Sequence, residues 1–501
     1  MNIQVDKRKR TPVYLQISEA VKERIRSGEL PDGSILPSER VMAQMLGVHR
    51  NTVTKAYGEL KADGMLHSRQ GSGYTVAVPL SAPAAVVARG KRVNWVNQIK
   101  SRHLDMDTFF DDLFERADGE ARCSMGAGIA QYGVYDRQRL AHDTAELLLT
   151  KDTDKGFFSP YKGDRELRQK LVSFLSMKGI RASVGEIQVL CETNQAVGFL
   201  VLLLVKPGDV VLTEEPVSPD VYRVVELAGG SVCGVPMDEN GVDCDVLEEL
   251  VRRKNPRFLY LNSSFHDPTG IVLAPERRKR VIEISNTYRV PVIEEDAASE
   301  LVYDGAGITP LKALDTLGNV IYIYSFSLTF VPGMSLAFVT AGKHIVESLS
   351  YLASVNMAAP DWITQKLAAR YLEDGTYYAQ LGAFRDCYRR KRDLVCRRLD
   401  AMAPLGVRYR KPRGGVYIWC RLPGGIDSKL FAARAYSGGA TVFPGHLFYL
   451  SKKEGRSYIR INYSHESEER LERGMDILEQ TLRELQDIPS LPMAGQGESF
   501  I

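Results

Sequence analysis

The chain has 501 residues, a net charge of +3, 44% hydrophobic residues and 25% charged residues. These values are typical of soluble globular proteins and exclude a wholly disordered or collagenous chain, and the length predicts two or three domains. The longest apolar run is about ten residues, too short to cross a bilayer. The first residues lack the apolar segment of a secretory signal, so we expect a cytoplasmic protein without a membrane partner. Seven cysteines without a CxxC pair argue against a disulfide framework and a metal site.

The basic excess of the chain lies at its N-terminus. Residues 1–77 contain twelve Lys and Arg against eight Asp and Glu, and a KRKR run occupies residues 7–10. A basic arm beside a small helical domain favours a nucleic-acid partner, because each phosphate contact releases counterions. A solvated run of surface charges is the alternative interpretation.

Three helices are predicted after this arm. Apolar spacing indicates a first helix over 12–27, a second over 38–47 and a third over 49–62. The apolar face of the second helix is predicted to contain Val41, Met42, Met45 and Leu46. Two helices joined by a short turn that contains glycine describe a helix-turn-helix.

A two-stranded ribbon with a glycine-rich tip is predicted next, over residues 65–69 and 74–76. The glycines at its tip let backbone N–H groups approach a phosphate, whereas the short polar residues that begin the third helix can contact base edges. The ribbon therefore has the position and composition of a wing.

The segments LPSER (36–40), LGVHRNTV (46–53) and GSGY (71–74) closely resemble the GntR winged-helix DNA-binding domain. The resemblance implies a double-stranded operator as partner; a small helical interaction domain is the alternative. The candidate DNA-contacting residues, from the resemblance and from the outward face of the third helix, are Arg40, Arg50, Asn51, Thr52, Thr54, Lys55, Gly71 and Gly73.

Beyond residue 120, helical patterns alternate with short apolar strands. The strand candidates are residues 210–212, 258–261, 291–293 and 320–324, each followed by polar residues. This alternation predicts an α/β fold with a largely parallel sheet, whose ligands lie beyond the carboxyl ends of the strands.

The polar ends resemble, in order, the landmarks of fold-type I pyridoxal phosphate (PLP) aminotransferases. They include SPYKGD (159–164), DPTG (267–270), SFS (325–327), PG (332–333) and YIRI (458–461). A GntR head fused to such a body is the arrangement of the MocR subfamily of bacterial regulators, and the resemblance spans nearly the whole chain. It implies large and small aminotransferase-like domains and a homodimer.

These patterns divide the chain into five predicted parts. They are a winged-helix domain at 1–77, a linker at 78–105, a large domain at 106–370, a small domain at 371–488 and a tail at 489–501.

The sequence departs from the aminotransferase family at the position of the catalytic lysine. In the family, a lysine after SFS forms the Schiff base with PLP, and Leu328 stands there. A leucine can neither form an aldimine nor carry out the proton transfers of the catalytic lysine, so no catalytic residue is expected. Ser335 stands where the family has a phosphate-pairing arginine, and Glu192 stands where the family has the phosphate-cup glycine.

The resemblance places four further residues at the cofactor. Asp267 takes the position of an asparagine that bonds the pyridoxal ring oxygen, and Glu295 aligns with the aspartate that pairs with the pyridine nitrogen, although Asp296 could take that role instead. Ser325 and Ser327 keep hydroxyls that bind phosphate in the family. PLP is therefore expected to bind noncovalently or not at all.

Arg460 aligns with the family arginine that binds the substrate carboxylate, a role suited to a planar bidentate donor. It alternates with apolar neighbours in a predicted strand, which places its side chain on the face away from the core. An ordinary ion pair at the surface is the alternative role.

The leading hypothesis is a transcription regulator whose aminotransferase-like body senses an effector and dimerises without catalysis. The effector could be an amino acid, another carboxylate or PLP. An enzyme that uses another lysine, of which Lys343 is the nearest downstream, or whose natural lysine has been replaced by leucine, is the second hypothesis. A body that binds no small molecule, with Leu328 filling the pocket, is the third.

Overall fold

The computed structural model describes residues 5, 11–26, 30, 34–69, 73–76, 123–126, 128, 130–131, 133–149, 159–358, 360–451 and 454–487. The predicted linker at 78–105, the tail at 489–501 and the basic run at 7–10 lie outside the described residues. The chain divides into two compact units, residues 1–100 and 101–501. No helix among the described residues is long and apolar enough to span a membrane.

The N-terminal unit contains three helices and a three-stranded sheet. Its elements, in chain order, are α1 (Val13–Arg26), β1 (Ile35–Leu36), α2 (Glu39–Leu46), α3 (Arg50–Ala62), β2 (Leu66–Arg69) and β3 (Gly73–Val76). The sheet has the order β1-β3-β2, and both pairings are antiparallel.

The three predicted helices and the ribbon are confirmed to within two residues at most ends. The Ser38 hydroxyl caps α2 by accepting a hydrogen bond from Val41 N, and Gly47 ends that helix at φ +60°, in the left-handed region that glycine favours. The sequence did not predict β1, because a two-residue strand has no periodicity of its own.

The prediction for the apolar face of α2 is wrong at two positions. Met42 and Ala43 are the buried residues, whereas Val41 and Met45 are about half exposed. The helix has only eight residues, so its contact with α1 and α3 buries a narrower stripe than the full set of apolar positions. The core beneath it includes Val21.

This difference predicts opposite outcomes for two substitutions on one helix. Met42→Ala should lower the opening free energy of the N-terminal unit by about 2–4 kcal/mol, because its side chain is fully buried. Met45→Ala, the matched control, should change it by no more than about 0.5 kcal/mol, since 52% of Met45 is exposed. Hydrogen–deuterium exchange of peptides from α1 and α3 in the full chain measures both. Equal protection in the two variants would contradict the assignment.

The C-terminal unit contains helices on both sides of an eight-stranded sheet and a second, four-stranded sheet. Its helices are α4 (Arg137–Leu149), α5 (Arg165–Met177), α6 (Thr193–Leu204), α7 (Pro219–Leu227), α8 (Cys244–Lys254), α9 (Pro275–Tyr288), α10 (Leu311–Leu314), α11 (Lys343–Val355), α12 (Trp362–Glu373), α13 (Thr376–Ala401), α14 (Ser428–Gly438) and α15 (Glu468–Asp487).

The strands of this unit form three sheets. They are β4 (Cys123–Ser124), β5 (Ile187–Leu190), β6 (Val210–Glu215), β7 (Ser231–Asp238), β8 (Gly241–Val242), β9 (Leu259–Leu261), β10 (Val292–Asp296), β11 (Val320–Ser325), β12 (Ala337–Thr340), β13 (Arg408–Tyr409), β14 (Tyr417–Arg421), β15 (Ala440–Thr441), β16 (Phe443–Pro444) and β17 (Tyr458–Asn462).

The large sheet has the order β5-β12-β11-β10-β9-β6-β7-β8. The central strands, from β11 to β7, are parallel, and the pairings that involve β12 and β8 are antiparallel. All four predicted strands lie in this parallel part, so the predicted α/β architecture is confirmed. The parallel strands end at one edge of the sheet, where polar loops follow them.

The four-stranded sheet has the order β13-β14-β17-β16 and is wholly antiparallel. It packs in the same apolar cluster as part of the large sheet, because Ile418 and Ile461 share that cluster with Tyr324 and Phe326. The predicted boundary at residue 370 falls inside α12. The large sheet and the four-stranded sheet therefore face a common core, with β17 close to the polar edge of the large sheet.

Candidate functional site

The outward face of α3 carries most of the predicted DNA-contacting residues. Arg40, Arg50, Asn51, Thr54 and Lys55 are exposed. Thr52 is half-buried, Gly73 begins β3, and Gly71 lies outside the described residues. The structure thus brings one face of α3 together with the start of the preceding helix, where Glu39 contacts Arg50.

Glu39 joins the start of α3 to the wing, which is formed by β2 and β3. Its Oε2 accepts hydrogen bonds of 3.3 Å from Nε and Nη2 of Arg50, and its Oε1 accepts one of 2.8 Å from the Tyr74 hydroxyl. Burial raises the pKa of Glu39, but the hydrogen bonds from Tyr74, Thr54 and Arg50 outweigh burial and lower it. The carboxylate therefore stays charged and orients Arg50.

Sequence reasoning missed Glu39 as a functional residue, because its partners are 11 and 35 residues away. Lys55 also has a partner that the sequence did not indicate, since its ammonium lies 4.2 Å from the centre of the Tyr14 ring. Both contacts restrict long side chains before any DNA is bound.

A cavity of about 340 Å³ lies at the carboxyl ends of β9 and β10 in the large sheet. Its walls come from the end of β10, the loops after β9, β10 and β11, the starts of α6 and α7, Gly128 and one residue of the four-stranded sheet. The residues that line it are Gly128, Glu192, Thr193, Asn194, Asp220, Asn262, Ser264, Phe265, Asp267, Glu295, Ala297, Ala298, Ser327, Leu328 and Tyr417.

This lining combines predicted and unpredicted residues. Asp267, Glu295, Ser327 and Leu328 were predicted from the resemblance, and the cavity brings them together. Ser325 lies just outside the lining, where its Oγ donates a 3.0 Å hydrogen bond to Ser327 Oγ. The other residues of the lining come from distant segments of the chain that only the tertiary structure brings together.

Arg460 is buried at this site and holds a carboxylate of its own chain. Its Nη1 donates to both oxygens of Asp267, at 2.6 and 2.8 Å, and its Nη2 donates to the Gly126 carbonyl at 2.8 Å. Only 5% of the residue is exposed. Arg460 lies on the face of β17 opposite Ile459 and Ile461, as the alternation predicts, but the loop that carries Asp267 covers that face, so the side chain is buried. The ion pair that was the alternative for Arg460 is present, but it is buried.

Three aromatic rings surround the same guanidinium. Its carbon lies 4.4 Å from the ring centre of Tyr417, 4.7 Å from that of Phe443 and 4.9 Å from that of Phe448. Burial lowers the pKa of Arg460, and the charge of Asp267 raises it beyond that loss. The guanidinium therefore remains charged, and the aromatic faces add to its stabilisation.

The structure separates the two acidic candidates of β10. Glu295 lines the cavity, whereas Asp296 turns to the opposite face of the strand and accepts 2.5 Å hydrogen bonds from the hydroxyls of Ser299 and Tyr322. Glu295 accepts a hydrogen bond from the Tyr260 hydroxyl and is also bonded to Asn262. The carboxyl that faces the cavity is thus Glu295.

Burial raises the pKa of Glu295 to about 7, and the negative charges of Asp267 and Asp220 add to this rise. Hydrogen bonds from Tyr260 and Asn262 oppose it. Burial likewise raises the pKa of Asp267, against the attraction of Arg460. The cavity therefore holds carboxyl groups that repel one another when ionised.

Leu328 is 4% exposed and packs in the same apolar cluster as Phe265 and Ala298. Lys343 is exposed at the start of α11, where its Cε lies close to Gly185, before the first residue of β5. The cavity lies beyond the other end of that strand. Among the residues described, neither lysine nor arginine lines the cavity.

Three His, Cys, Asp or Glu side chains come close enough to share a metal ion at one place in the described chain, His142, Asp143 and Glu146. It lies outside the cavity, and Arg370 pairs with both Asp143 and Glu146 at 3.3 and 2.7 Å. These carboxylates are neutralised by the chain itself.

The fold and the site together define a class of protein, a helix-turn-helix domain joined to an aminotransferase-like domain. Residues 124–478 match the family model for aminotransferase class I and II, and residues 13–76 match that for bacterial regulatory proteins of the gntR family. The chain belongs to the aminotransferase class I and II family through its C-terminal unit, and its N-terminal unit is a GntR-type DNA-binding domain.

Individual relatives narrow this class. The uncharacterized HTH-type transcriptional regulator YisV of Bacillus subtilis is 28% identical over 95% of this chain and 96% of its own. The probable rhizopine catabolism regulatory protein MocR of Rhizobium meliloti is 26% identical, over 77% of this chain and 78% of its own. The protein is therefore a GntR-type transcriptional regulator of the MocR type with an aminotransferase-like domain.

Solved aminotransferases share the fold of the C-terminal unit. The crystal structure of the α-aminoadipate aminotransferase LysN from Thermus thermophilus, complexed with N-(5'-phosphopyridoxyl)-L-leucine, matches with a TM-score of 0.71 and 26% identity. The match covers 79% of this chain and all of that one.

The residues of this cavity do not fit a covalently bound PLP. Leu328 offers no amine, and Ser335 offers no charge to a phosphate. Four carboxyl groups, those of Glu192, Asp220, Asp267 and Glu295, line the walls. A phosphate dianion in this cavity would face repulsion without a compensating cation in the lining.

The buried pair predicts a chemical rescue. Asp267→Ala leaves Arg460 charged and unpaired, so it should destabilise the chain by about 3–5 kcal/mol. Acetate at millimolar concentration should restore part of the lost thermal stability by filling the vacated space.

Asp238→Ala is the matched control, because it removes an exposed partner of Arg277 and should cost less than about 1 kcal/mol. Differential scanning calorimetry of both variants, with acetate and with chloride at equal ionic strength, makes the measurement. Equal responses of the two variants to acetate would contradict the role assigned to Asp267.

Proposed function

We propose that the protein binds operator DNA through α3 and the wing, and that its aminotransferase-like domain is a noncatalytic module for dimerisation and effector sensing. The observation that carries the proposal is the replacement of the Schiff-base lysine by Leu328, in a cavity whose described lining contains no other lysine. The alternative of catalysis through Lys343 is disfavoured by its position near Gly185.

The exposed polar side chains of α3 support DNA binding by this unit. Arg50 is a bidentate donor suited to a guanine edge, and Asn51 and Thr54 can reach neighbouring bases or phosphates. Glu39 competes with DNA for Arg50 in the free protein. We propose that contact with a base edge replaces this ion pair, and that Tyr74 keeps Glu39 hydrogen-bonded afterwards.

The cavity favours a domain that binds an effector over a domain whose pocket is filled by its own side chains. Its volume of about 340 Å³ is not filled by Leu328, whose side chain packs into the adjacent apolar cluster. An effector changes transcription only if it binds one arrangement of the protein more tightly than another. We propose that this difference alters the spacing of two DNA-binding units in a homodimer acting on cytoplasmic DNA, as expected for paired half-sites.

The DNA-binding surface is tested by two variants of the full-length protein. Arg50→Ala should weaken operator binding by about 1–3 kcal/mol and reduce discrimination against a scrambled sequence. Replacing the four basic residues at 7–10 by alanine should mainly lower the dependence of affinity on salt.

Fluorescence anisotropy over a range of salt concentrations, with operator fragments selected from a random pool, measures both effects. Arg253→Ala is the control, because Arg253 is an exposed partner of Glu249 on α8. Unchanged affinity, specificity and salt dependence in both test variants would refute the proposed DNA surface.

The absence of catalysis is tested by incubating the protein with PLP and borohydride before intact-mass analysis. We expect no reduced adduct and no conversion of amino acids to oxo acids, because the described residues that line the cavity include no lysine. Leu328→Lys serves as a comparison, since it restores the amine alone. Trapping of PLP on a cavity-facing lysine of the unaltered protein, or steady turnover, would contradict the proposal.

A further inference from the structure

The charge of the cavity is opposite to what a phosphate or carboxylate ligand needs. Glu192, Asp220, Asp267 and Glu295 line it, and within the described lining no lysine, arginine or histidine faces them. Arg460, which is not part of the lining, neutralises Asp267. The carboxyl groups of Glu192, Asp220 and Glu295 therefore remain without a cationic side chain in the lining.

Of the two places that would receive an anion, one is occupied by a carboxyl group of the chain and the other has a carboxyl group beside it. Arg460 holds Asp267 with a bidentate ion pair. The N-terminus of α6, whose free N–H groups favour a negative charge, has Glu192 as its N-cap residue; the Glu192 side chain makes no capping hydrogen bond, but it lines the same cavity. An incoming carboxylate or phosphate would have to displace or approach a fixed negative charge at either place.

One buried acceptor of the lining also lacks a donor. The Oδ1 of Asn262 is buried and accepts no hydrogen bond from the described residues, while the amide of the same side chain is bonded to Glu295. A buried acceptor without a donor is costly, so this oxygen indicates a ligand with N–H or O–H groups.

The rest of the wall is apolar. Leu328, Ala297 and Phe265 contribute hydrocarbon surface opposite the carboxyl groups. A ligand that combines a protonated amine with a short alkyl chain would satisfy Asn262, offset the repulsion among the acids and bury its carbon atoms.

We infer that this cavity has exchanged anion recognition for cation recognition, and that its ligand is a small aliphatic amine without a carboxylate or phosphate group. The inference rests on the proposed sensing function and names the chemical class of its effector. The amine replaces both PLP and the carboxylate ligand that the resemblance attributes to Arg460.

Isothermal titration calorimetry of the full-length protein tests the inference with putrescine as the probe. 1,4-Butanediol has the same chain length without charge and should bind at least tenfold more weakly. Glutamate, PLP and magnesium chloride should also bind more weakly than putrescine.

Two isosteric variants test the position of the bound amine. Asp220→Asn and Glu295→Gln each remove one carboxylate and should weaken putrescine binding at least tenfold. Glu249→Gln, an exposed change on α8, is the control and should leave it unchanged. Circular dichroism confirms that each variant is folded.

Several outcomes would overturn the inference. They are no putrescine binding at millimolar concentration, binding equal to that of butanediol, tighter binding of PLP, glutamate or magnesium, and unchanged putrescine affinity in both folded variants. A parallel measurement of operator affinity separates the two proposals. Putrescine binding without any change in operator affinity would support the cavity assignment and contradict effector sensing. If a different compound changed operator affinity and putrescine did not, effector sensing would be supported and the cavity assignment contradicted.

Discussion

The ion pair between Arg460 and Asp267 is the interaction on which the cavity of the C-terminal unit depends. It joins β17 of the four-stranded sheet to the loop after β9 of the large sheet, with both oxygens of the carboxylate engaged. Removing two charges from water is costly, and a pair recovers that cost only when both partners are present. Neither residue can therefore change alone without leaving a buried charge, and a free carboxylate has no vacant arginine to bind.

The other departures from an aminotransferase site agree with this constraint. Leu328 removes the amine that would react with PLP, and Ser335 removes a positive charge. Glu192 and Glu295 add negative charge to the same cavity. Each change reduces the affinity for an anionic cofactor, so the substitutions in this cavity are electrostatically consistent with one another. The proposed sensing role is compatible with them, because sensing needs a binding site but no reaction.

The N-terminal unit also contains a carboxylate that holds two partners, in this case at its surface. Glu39 holds Arg50 and Tyr74 at once, so the first side chain of the recognition helix and the wing share one carboxylate. An exposed ion pair of this kind contributes little to stability. Its effect is to restrict the conformations of Arg50 and Tyr74 in the unit without DNA.

The sequence alone determined the local helices and strands and the absence of an amine at position 328. The three helices of the N-terminal unit and the four parallel strands were predicted, because periodicity, caps and strand composition act over a few residues. The lack of an amine at Leu328 is a property of the residue type and holds in any conformation. The tertiary structure decided the rest. Arg460 meets a partner 193 residues away, and β10 directs Glu295 and Asp296 to opposite faces. The burial of Met42 rather than Met45, and of an acceptor on Asn262 without a donor, depends on which surfaces cover them, and no short stretch of sequence contains that information.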